Sequence, residues 1–556
     1  MRKLLLGLTA LLFVSPVAFA ENRAVESKNG MVVCVSPDAA DAGVAIMKKG
    51  GNAVDATVAV AFAMAVTYPP AGNIGGGGFM MVYPGPGKEP TCIEYRETAP
   101  AAVKADTFVN ETSALTHKAV GVPGTVRGME MAHKKFGKLP WKDVVAPSIT
   151  LAADGFLLTP SMARSLNGIL KQTPDNKEFQ RCFGKPDGTP WKAGDRLIQK
   201  DLARTLTLIA DNGADAFYTG ELADLFEKEM KAGGGFVTKD DLKAYTANER
   251  KPVHGTYRGH DVYGPPPPSS GGICLVMMLN MMENFDLKKL GRWSPETTHL
   301  LAEASRRAFA ERAYYLGDPA FTKIPDHLTS KEHGKLLAKT IDPLKATPSE
   351  KLARDIPLNK ESEQTTHFSI VDKDGMAVAN TYTLENSYGS RVVVRGAGYL
   401  LNNEMGDFNW KPGVTTTTGK IGTKPNQIAP GKRMLSSQTP TLVVKDGKLL
   451  LVTGSPGSRT IINTVFGIVV NVIDFDMDVQ AAVDAPRFHQ QWFPDEIRFE
   501  PAMRKQHPET LAKLKAMGHT LTEAAQGDGH SIWIDPKTGT RHGAADRRVD
   551  GKAAGY

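Results

Sequence analysis

The sequence of 556 residues predicts an α+β fold in which antiparallel β-sheets are covered by helices. Residues from about 115 to 355 carry mostly helical patterns, whereas hairpin-like strands begin abruptly at residue 365. Helices and strands do not alternate regularly, as they would in a doubly wound parallel sheet. The composition, with 41% hydrophobic and 23% charged residues, is that of an ordinary globular protein and excludes disordered, collagen-like and polytopic membrane classes.

The first twenty residues have the pattern of a secretory signal peptide. Arg2 and Lys3 form a basic start, Leu4 to Val14 an apolar run too short to span a bilayer, and residues 18–20 an Ala-Phe-Ala cleavage site. Removal of this segment lowers the formal net charge from +7 to +5. Because the other basic residues are scattered and no later apolar run reaches membrane length, we expect neither a nucleic-acid partner nor a membrane anchor. We therefore predict an exported protein, periplasmic or secreted.

Two helices are expected near the start of the mature chain. Ser36 provides an N-cap before Pro37, and the glycine pair at residues 50–51 ends this helix. Asn52 then caps an apolar helix from Ala53 to Val66. Two further helices are predicted over residues 296–316 and 461–472.

Strands are predicted on both sides of residue 365. They cover Phe79 to Tyr83, Thr91 to Tyr95, His367 to Asp372, Met376 to Leu384, Thr441 to Val444 and Lys448 to Thr453. The last four form two hairpins, each with a Lys-Asp-Gly turn. The four prolines at residues 265–268 indicate a rigid surface connection, with a proline-rich SH3 ligand as the alternative.

Several familiar site signatures are missing from the sequence. It has no C-x-x-C, H-E-x-x-H, G-x-G-x-x-G or P-loop motif, so we expect neither a zinc site nor a nucleotide cofactor. Residues 537–539 match K-T-G, but no S-x-x-K precedes them, and a hairpin turn is expected there. The four cysteines, available for disulfides after export, allow three complete pairings, among which the sequence does not choose: Cys34, Cys92, Cys182 and Cys274.

One candidate nucleophile stands at the start of the strand-rich half, where Thr365 and Thr366 precede His367. A threonine hydroxyl is a weak nucleophile until chain cleavage frees the α-amino group of the same residue, which then serves as its base. Taken alone, a threonine pair at the start of a strand is explained equally well by β propensity.

Short motifs in a fixed order strengthen this interpretation. The first half carries Gly50 to Ala56, Gly75 to Phe79, Arg96 to Pro100, Val122 to Gly124 and Pro267 to Gly272, and the second half carries Thr365 to His367, Thr381 to Leu384, Asn402 to Phe408, Pro430 to Ser437 and Gly454 to Gly457. In these motifs the chain resembles the γ-glutamyltranspeptidases (glutathione hydrolases), which are N-terminal-nucleophile hydrolases made as proenzymes. The resemblance extends from about Gly30 to the C-terminus.

The resemblance implies a four-layer αββα sandwich and self-cleavage before Thr365. The products would be a heavy chain, residues 21–364, and a light chain, residues 365–556, which stay together as a heterodimer. Thr365 would act first in autoprocessing and then in catalysis, without cofactor or metal. The expected substrates are glutathione and related γ-glutamyl compounds, whose acyl group forms an ester with the threonine and passes to water or to an amino acid or dipeptide.

A γ-glutamyl group carries a zwitterionic head, so its pocket needs an anion site and a cation site. By the resemblance, Arg96, Ser436 and Ser437 bind the α-carboxylate, while Asp407, Glu404 and Glu385 accept from the α-ammonium. The backbone N–H groups of Gly457 and Ser458 would bind the oxyanion, and Thr383 would orient the Thr365 hydroxyl.

Three positions depart from the pattern of the family. Ser458 replaces a common second glycine, which is costly if the position requires a positive φ. Glu385 stands where many relatives have asparagine. Thr418 stands where several bacterial relatives carry a tyrosine in the lid segment, here residues 409–431.

Two other functions remain possible from the sequence. One is a cephalosporin or glutaryl acylase of the same fold, whose substrate lacks the α-ammonium that Asp407 would bind. The other is an exported binding protein without catalysis, which would stay uncleaved. The sequence leaves open the balance between hydrolysis and transpeptidation, the preferred donor and acceptor, and any higher oligomeric state.

Overall fold

The computed structural model describes residues 23–353, 359–360 and 365–556. The expected signal peptide, residues 1–20, and Gln364 lie outside the described residues. Within the described ranges, we find no helix whose length and hydropathy would let it cross a lipid bilayer.

The strands are short and spread over the whole chain. In chain order they are β1 (Val25–Ser27), β2 (Met31–Cys34), β3 (Gly77–Tyr83), β4 (Thr91–Glu94), β5 (Phe156–Leu157), β6 (Arg196–Leu197), β7 (Asn248–Arg250), β8 (Val253–Tyr257), β9 (His260–Gly264), β10 (Asn359–Lys360), β11 (Thr366–Val371), β12 (Ala377–Thr383), β13 (Gly419–Lys420), β14 (Thr441–Lys445), β15 (Lys448–Thr453), β16 (Phe488–His489), β17 (Ile497–Phe499), β18 (Leu521–Glu523), β19 (His530–Ile534), β20 (Arg541–Ala545) and β21 (Lys552–Gly555).

The α-helices lie mostly in the first half. They are α1 (Pro37–Lys48), α2 (Ala53–Thr67), α3 (Thr125–Phe136), α4 (Trp141–Asp154), α5 (Pro160–Gln172), α6 (Lys177–Phe183), α7 (Lys200–Asn212), α8 (Asp215–Tyr218), α9 (Glu221–Gly233), α10 (Lys239–Ala244), α11 (Gly271–Met282), α12 (Leu287–Leu290), α13 (Pro295–Tyr315), α14 (Lys331–Lys339), α15 (Thr460–Ile473), α16 (Val479–Asp484), α17 (Pro501–Gln506) and α18 (Pro508–Ala516). Single 3-10 turns occur at His117–Ala119, Asp326–Thr329, Ser349–Leu352, Glu404–Asp407 and Lys424–Asn426.

Two seven-stranded sheets form the centre of the molecule. The first has the order β21-β2-β11-β12-β3-β4-β7, and the second β1-β20-β19-β15-β14-β9-β8. Neighbouring strands in both sheets are antiparallel. This confirms the predicted antiparallel arrangement.

The strand residues alternate between two apolar layers. In β2, Met31 and Val33 join a core that lies between the two sheets, whereas Val32 and Cys34 join the core beneath helices α1 and α2. In β14 of the second sheet, Val443 packs in a further core with helices α11, α13 and α15. Because successive side chains of a strand point to opposite faces, each sheet has helices on one side and the other sheet on its second side. The result is the predicted four-layer αββα sandwich.

The predicted caps of the first two helices are confirmed. The Ser36 side chain accepts a hydrogen bond from the Ala39 N–H, and Gly50 ends the helix region with a φ of 97°. Asn52 and Asp55 form a capping box at the start of α2, which ends one residue beyond the predicted Val66.

The region predicted to be mostly helical contains α3 to α14, but it also includes a hairpin, and the prediction for the proline block is wrong. The hairpin of β8 and β9 lies in a region predicted to be mostly helical, and it forms one edge of the second sheet. The proline block is not a surface connection, since Pro265, Pro266 and Pro268 are buried. The Pro268 carbonyl accepts a hydrogen bond from the Ser436 N–H at 2.9 Å, which holds this block against a distant loop of the second half.

The four cysteines are free thiols, and Cys34, Cys92 and Cys274 are buried. The fold is therefore stabilised by its apolar layers and strand pairing, without disulfides among these four residues.

We predict that Asn52→Ala lowers the free energy of unfolding by about 1 kcal/mol, because the Val54 and Asp55 N–H groups lose their shared acceptor. Urea denaturation should show a lower midpoint with an unchanged slope. Asn52→Ser, which keeps a capping oxygen, should lose clearly less stability. Equal losses in both variants would contradict the role of the cap.

Candidate active site

The register of one strand pair places two threonines opposite each other. Thr366 in β11 pairs with Tyr382 in β12, so Thr365 faces Thr383 at the open end of this pair. The Thr383 hydroxyl lies 3.5 Å from the Thr365 hydroxyl oxygen. The Glu385 N–H donates to the Thr383 hydroxyl at 2.8 Å, which fixes that side chain.

Thr365 opens into a cavity of about 520 Å³. Nine of the ten predicted site residues line this cavity: Arg96, Thr365, Thr383, Glu385, Glu404, Asp407, Ser436, Ser437 and Ser458. The tenth, Gly457, directly precedes Ser458. The structure thus brings together residues that are more than 350 positions apart in the sequence, such as Arg96 and Ser458. A cavity of this size is in the usual range for a small-molecule site.

Two serines are fixed by contacts with the first half of the chain. The Ser436 carbonyl accepts from the Ser270 hydroxyl at 2.6 Å, and the Ser437 hydroxyl accepts from Arg312 at 3.0 Å. Arg312 also donates to the Ser270 hydroxyl at 2.8 Å. The sequence analysis missed Arg312, because nothing in the pattern of α13 distinguishes it from the other arginines of this helix. Its position next to the cavity arises only from tertiary packing.

Arg96 is almost completely buried, with 1% of its side chain exposed. Its guanidinium forms ion pairs with Glu404 and, at 2.5 Å, with Asp407, and the Glu97 carboxylate lies 3.6 Å away. Arg96, expected to bind the α-carboxylate, therefore contacts two acids that are expected to bind the α-ammonium.

This cluster contains more carboxyl groups than cations. Burial and the neighbouring charges together shift the pKa values of its members. Burial lowers the pKa of Arg96, but Glu404, Glu97 and Asp407 outweigh burial and raise it overall. Burial raises the pKa of Glu97 to about 7, although Arg96 acts in the opposite direction. Burial also raises the pKa of Glu404 well above its usual value, again against the effect of Arg96.

A glycine turn between β15 and α15 forms another wall of the cavity. Gly457 has a φ of 118° and Ser458 a φ of 52°. Among the described residues, the N–H groups of Gly457 and Ser458 find no protein acceptor. Two adjacent free donors next to a nucleophile are the arrangement that an oxyanion requires.

The first glycine of this turn is required by a buried histidine. A Cβ atom on Gly454 would lie 2.2 Å from the His367 ring. That ring contacts the Thr381 hydroxyl at 2.7 Å through Nδ1. The turn therefore lies directly against the strand that follows Thr365.

Comparison with known proteins identifies the family. A family model described as Gamma-glutamyltranspeptidase matches residues 39–556. The chain belongs to this family.

Relatives cover nearly the whole chain. The glutathione hydrolase proenzyme of Escherichia coli (strain K12) is 47% identical over 542 residues, which are 96% of this chain and 93% of that protein. Among solved structures, the cephalosporin acylase from Bacillus halodurans has a TM-score of 0.85 at 26% identity and covers 100% of this chain and 99% of its own. The Helicobacter pylori gamma-glutamyltranspeptidase has a TM-score of 0.56 at 40% identity, covering 57% of this chain and 93% of its own.

Two departures from the γ-glutamyltranspeptidase pattern have a backbone consequence. Ser458 and Glu385 both adopt positive φ values, 52° and 76°. This left-handed conformation costs a non-glycine residue about 1–2 kcal/mol. Position 458 has a positive φ, so a serine in place of the glycine common in the family destabilises the backbone there.

The third departure lies away from the cavity. Thr418 contacts Thr416 through their hydroxyls at 3.1 Å, and it is not among the residues that line the cavity. Eight residues of the lid segment line the cavity, among them Trp410, whose ring is stacked 4.9 Å from that of Phe108. This aromatic contact links the lid segment to the first half of the chain.

We predict that Ser458→Gly stabilises the protein by about 0.5 kcal/mol. The free energy gained by relieving the left-handed conformation exceeds the cost of the greater conformational entropy that glycine gives to the unfolded chain. The matched variant is Gly457→Ala, whose Cβ would lie 2.4 Å from the Thr460 hydroxyl. It should lose more than about 1 kcal/mol. Thermal unfolding of both variants tests this, and a lower midpoint for Ser458→Gly would contradict the strain.

Proposed function

We propose that this protein is a γ-glutamyltransferase and glutathione hydrolase that uses Thr365 as its nucleophile. It cleaves γ-glutamyl amide bonds and transfers the acyl group to water, to an amino acid or to a dipeptide. The observation that carries the proposal is the position of Thr365, which opens into one cavity together with the cluster of Arg96, Glu404 and Asp407.

The nucleophile becomes active when the chain is cut before Thr365. Cleavage yields a heavy chain, residues 21–364, and a light chain, residues 365–556. The strand order supports a stable heterodimer, because β11 and β12 of the light chain lie between β2 and β3 of the heavy chain. In the second sheet, β14 pairs with β9 across the same division. Separation of the two chains would break pairing in both sheets.

The reaction then follows from the positions of four residues. The freed α-amine of Thr365 takes the proton of its own hydroxyl as the oxygen attacks the γ-carbonyl carbon. The Gly457 and Ser458 N–H groups stabilise the oxyanion, and Thr383 orients the attacking oxygen. The C–N bond breaks, the ammonium returns its proton to the leaving amine, and an ester remains on Thr365. Water or an acceptor amine attacks this ester, which releases glutamate or a new γ-glutamyl compound.

The donor's zwitterionic head fits the charges of the cavity. Arg96, Ser436 and Ser437 bind its α-carboxylate, and Glu385, Glu404 and Asp407 bind its α-ammonium. Since Glu404 and Asp407 contact Arg96, the bound zwitterion replaces these internal contacts by contacts with the donor. A glutaryl group would bring a carboxylate without the cation that these acids need, which disfavours the acylase alternative.

The N-terminal pattern supports export. After removal of residues 1–20 we expect the heterodimer in the periplasm or outside the cell.

We predict that Thr365→Ala leaves one uncut chain on a denaturing gel, whereas the wild type gives two. Without the hydroxyl, no attack on the preceding peptide bond is possible. Thr366→Ala is the matched control, because the buried Thr366 hydroxyl has no hydrogen-bond partner in the part of the chain that the structure describes. That variant should be cut and active. Cleavage of Thr365→Ala at the same bond would contradict the mechanism.

We predict that Asp407→Asn lowers the preference for a γ-glutamyl over a glutaryl anilide by at least tenfold. Loss of one carboxylate weakens binding of the ammonium, which only the γ-glutamyl substrate carries. The ratio of kcat/KM values for the two anilides is the measurement, since disturbance of Arg96 affects both substrates alike. An unchanged ratio of kcat/KM values would show that Asp407 does not bind the ammonium.

A further inference from the structure

The proposed donor site contains a carboxyl group whose charge is not balanced. Glu404 is 1% exposed, and its Oε1 pairs with Arg96. Its second oxygen, Oε2, is buried and has no hydrogen-bond partner in the described ranges. Such an oxygen loses its hydrogen bonds to water without a compensating partner, which is most unfavourable when the group is charged.

The groups around Glu404 increase this imbalance. The positive charge of Arg96 lowers the pKa of Glu404, whereas the negative charges of Glu97, Asp407 and Glu385 raise it. Arg433 acts on Glu97 and forms its own ion pair with Glu94. Glu97, Glu404 and Asp407 thus all lie within 3.6 Å of the Arg96 guanidinium in a largely buried site, and they cannot all be ionised at low cost.

We propose that Glu404 holds a proton in the empty enzyme and releases it when the α-ammonium of the donor binds. The proton leaves Glu404 Oε2 for solvent, and the ammonium then donates a hydrogen bond to the same oxygen. Donor binding is therefore an exchange of one cation for another, with one proton released per donor bound. This inference rests on the proposed γ-glutamyl donor.

The sign of the pH dependence follows from this exchange. A ligand whose binding releases one proton binds about tenfold more tightly for each unit of rising pH, as long as the free enzyme holds that proton. Burial, which raises the pKa of Glu404 well above its usual value, supports protonation near neutral pH. A ligand without an ammonium group has no cation to offer and should not show this increase.

The experiment measures competitive inhibition of γ-glutamyl anilide hydrolysis between pH 6 and 8. L-Glutamate carries the ammonium, and glutarate is the matched ligand without it. We expect the inhibition constant of L-glutamate to fall about tenfold per pH unit relative to that of glutarate. Titration of the Thr365 amine affects both ligands and cancels in the ratio.

Two variants assign the proton to one residue. Glu404→Gln removes the titrating group but keeps a carbonyl acceptor, so the ratio should become independent of pH while L-glutamate still binds. Glu97→Gln removes a neighbouring buried carboxyl group that does not line the cavity but raises the pKa of Glu404, so the dependence should persist and end at a lower pH.

Three outcomes would overturn the inference. A pH-independent ratio in the wild type contradicts the exchange, and a dependence that survives in Glu404→Gln contradicts its assignment to Glu404. Failure of L-glutamate to inhibit the wild type at all would contradict the γ-glutamyl donor itself, and the exchange with it.

Discussion

The insertion of β11 and β12 between β2 and β3 is the constraint on which the site depends. β12 pairs with β3 over seven residue pairs, and β11 pairs with β2 over four. This pairing fixes Thr365 opposite Thr383 and directs both into the cavity. It also explains the glycines of β3, since a Cβ on Gly78 would lie 2.3 Å from the Thr381 carbonyl oxygen. A side chain there would push β12 away and displace both threonines.

Some of the backbone strain in the described residues lies next to this pairing. Glu385 is the second residue after the end of β12, and Ser458 lies in the glycine turn. Both residues have positive φ values. Such conformations persist only where the surrounding structure determines them, and they cluster at functional sites. Here the rigid strand pair and the contact between Gly454 and His367 provide that support. The backbone strain at Glu385 and Ser458 is therefore borne by the same sheet that positions the nucleophile.

Local sequence signals predicted the elements that depend on local chemistry. The Lys-Asp-Gly hairpins and the Asn52 cap were predictable because turn and cap residues act over a few positions. The edge hairpin β8–β9 and the burial of the proline block depend on contacts with residues far along the chain, as with Pro268 and Ser436. For the same reason Arg312 could not be recognised as a neighbour of the cavity.

The candidate site could likewise be predicted only in part from the sequence. The chemistry of an N-terminal threonine could be stated from Thr365 alone, but β propensity explained that residue equally well. Family motifs supplied Arg96, Glu404 and Asp407, yet no motif indicated that Arg96 contacts both acids. These contacts are a property of the folded state, because Arg96 is about 300 positions from each acid.

The charges of the cavity also determine how a zwitterionic head is oriented. Arg96 and, through Ser437, Arg312 supply positive charge, whereas Glu385, Glu404 and Asp407 supply negative charge, and the last two of these acids contact Arg96. A zwitterionic head bound in reverse would bring its carboxylate to the acids and its ammonium to the arginines, and in a buried site each such contact is strongly unfavourable. The head therefore has one favourable orientation. Since the γ-carbonyl is attached to the head by a short chain, fixing the orientation of the head also fixes which atom reaches the Thr365 hydroxyl.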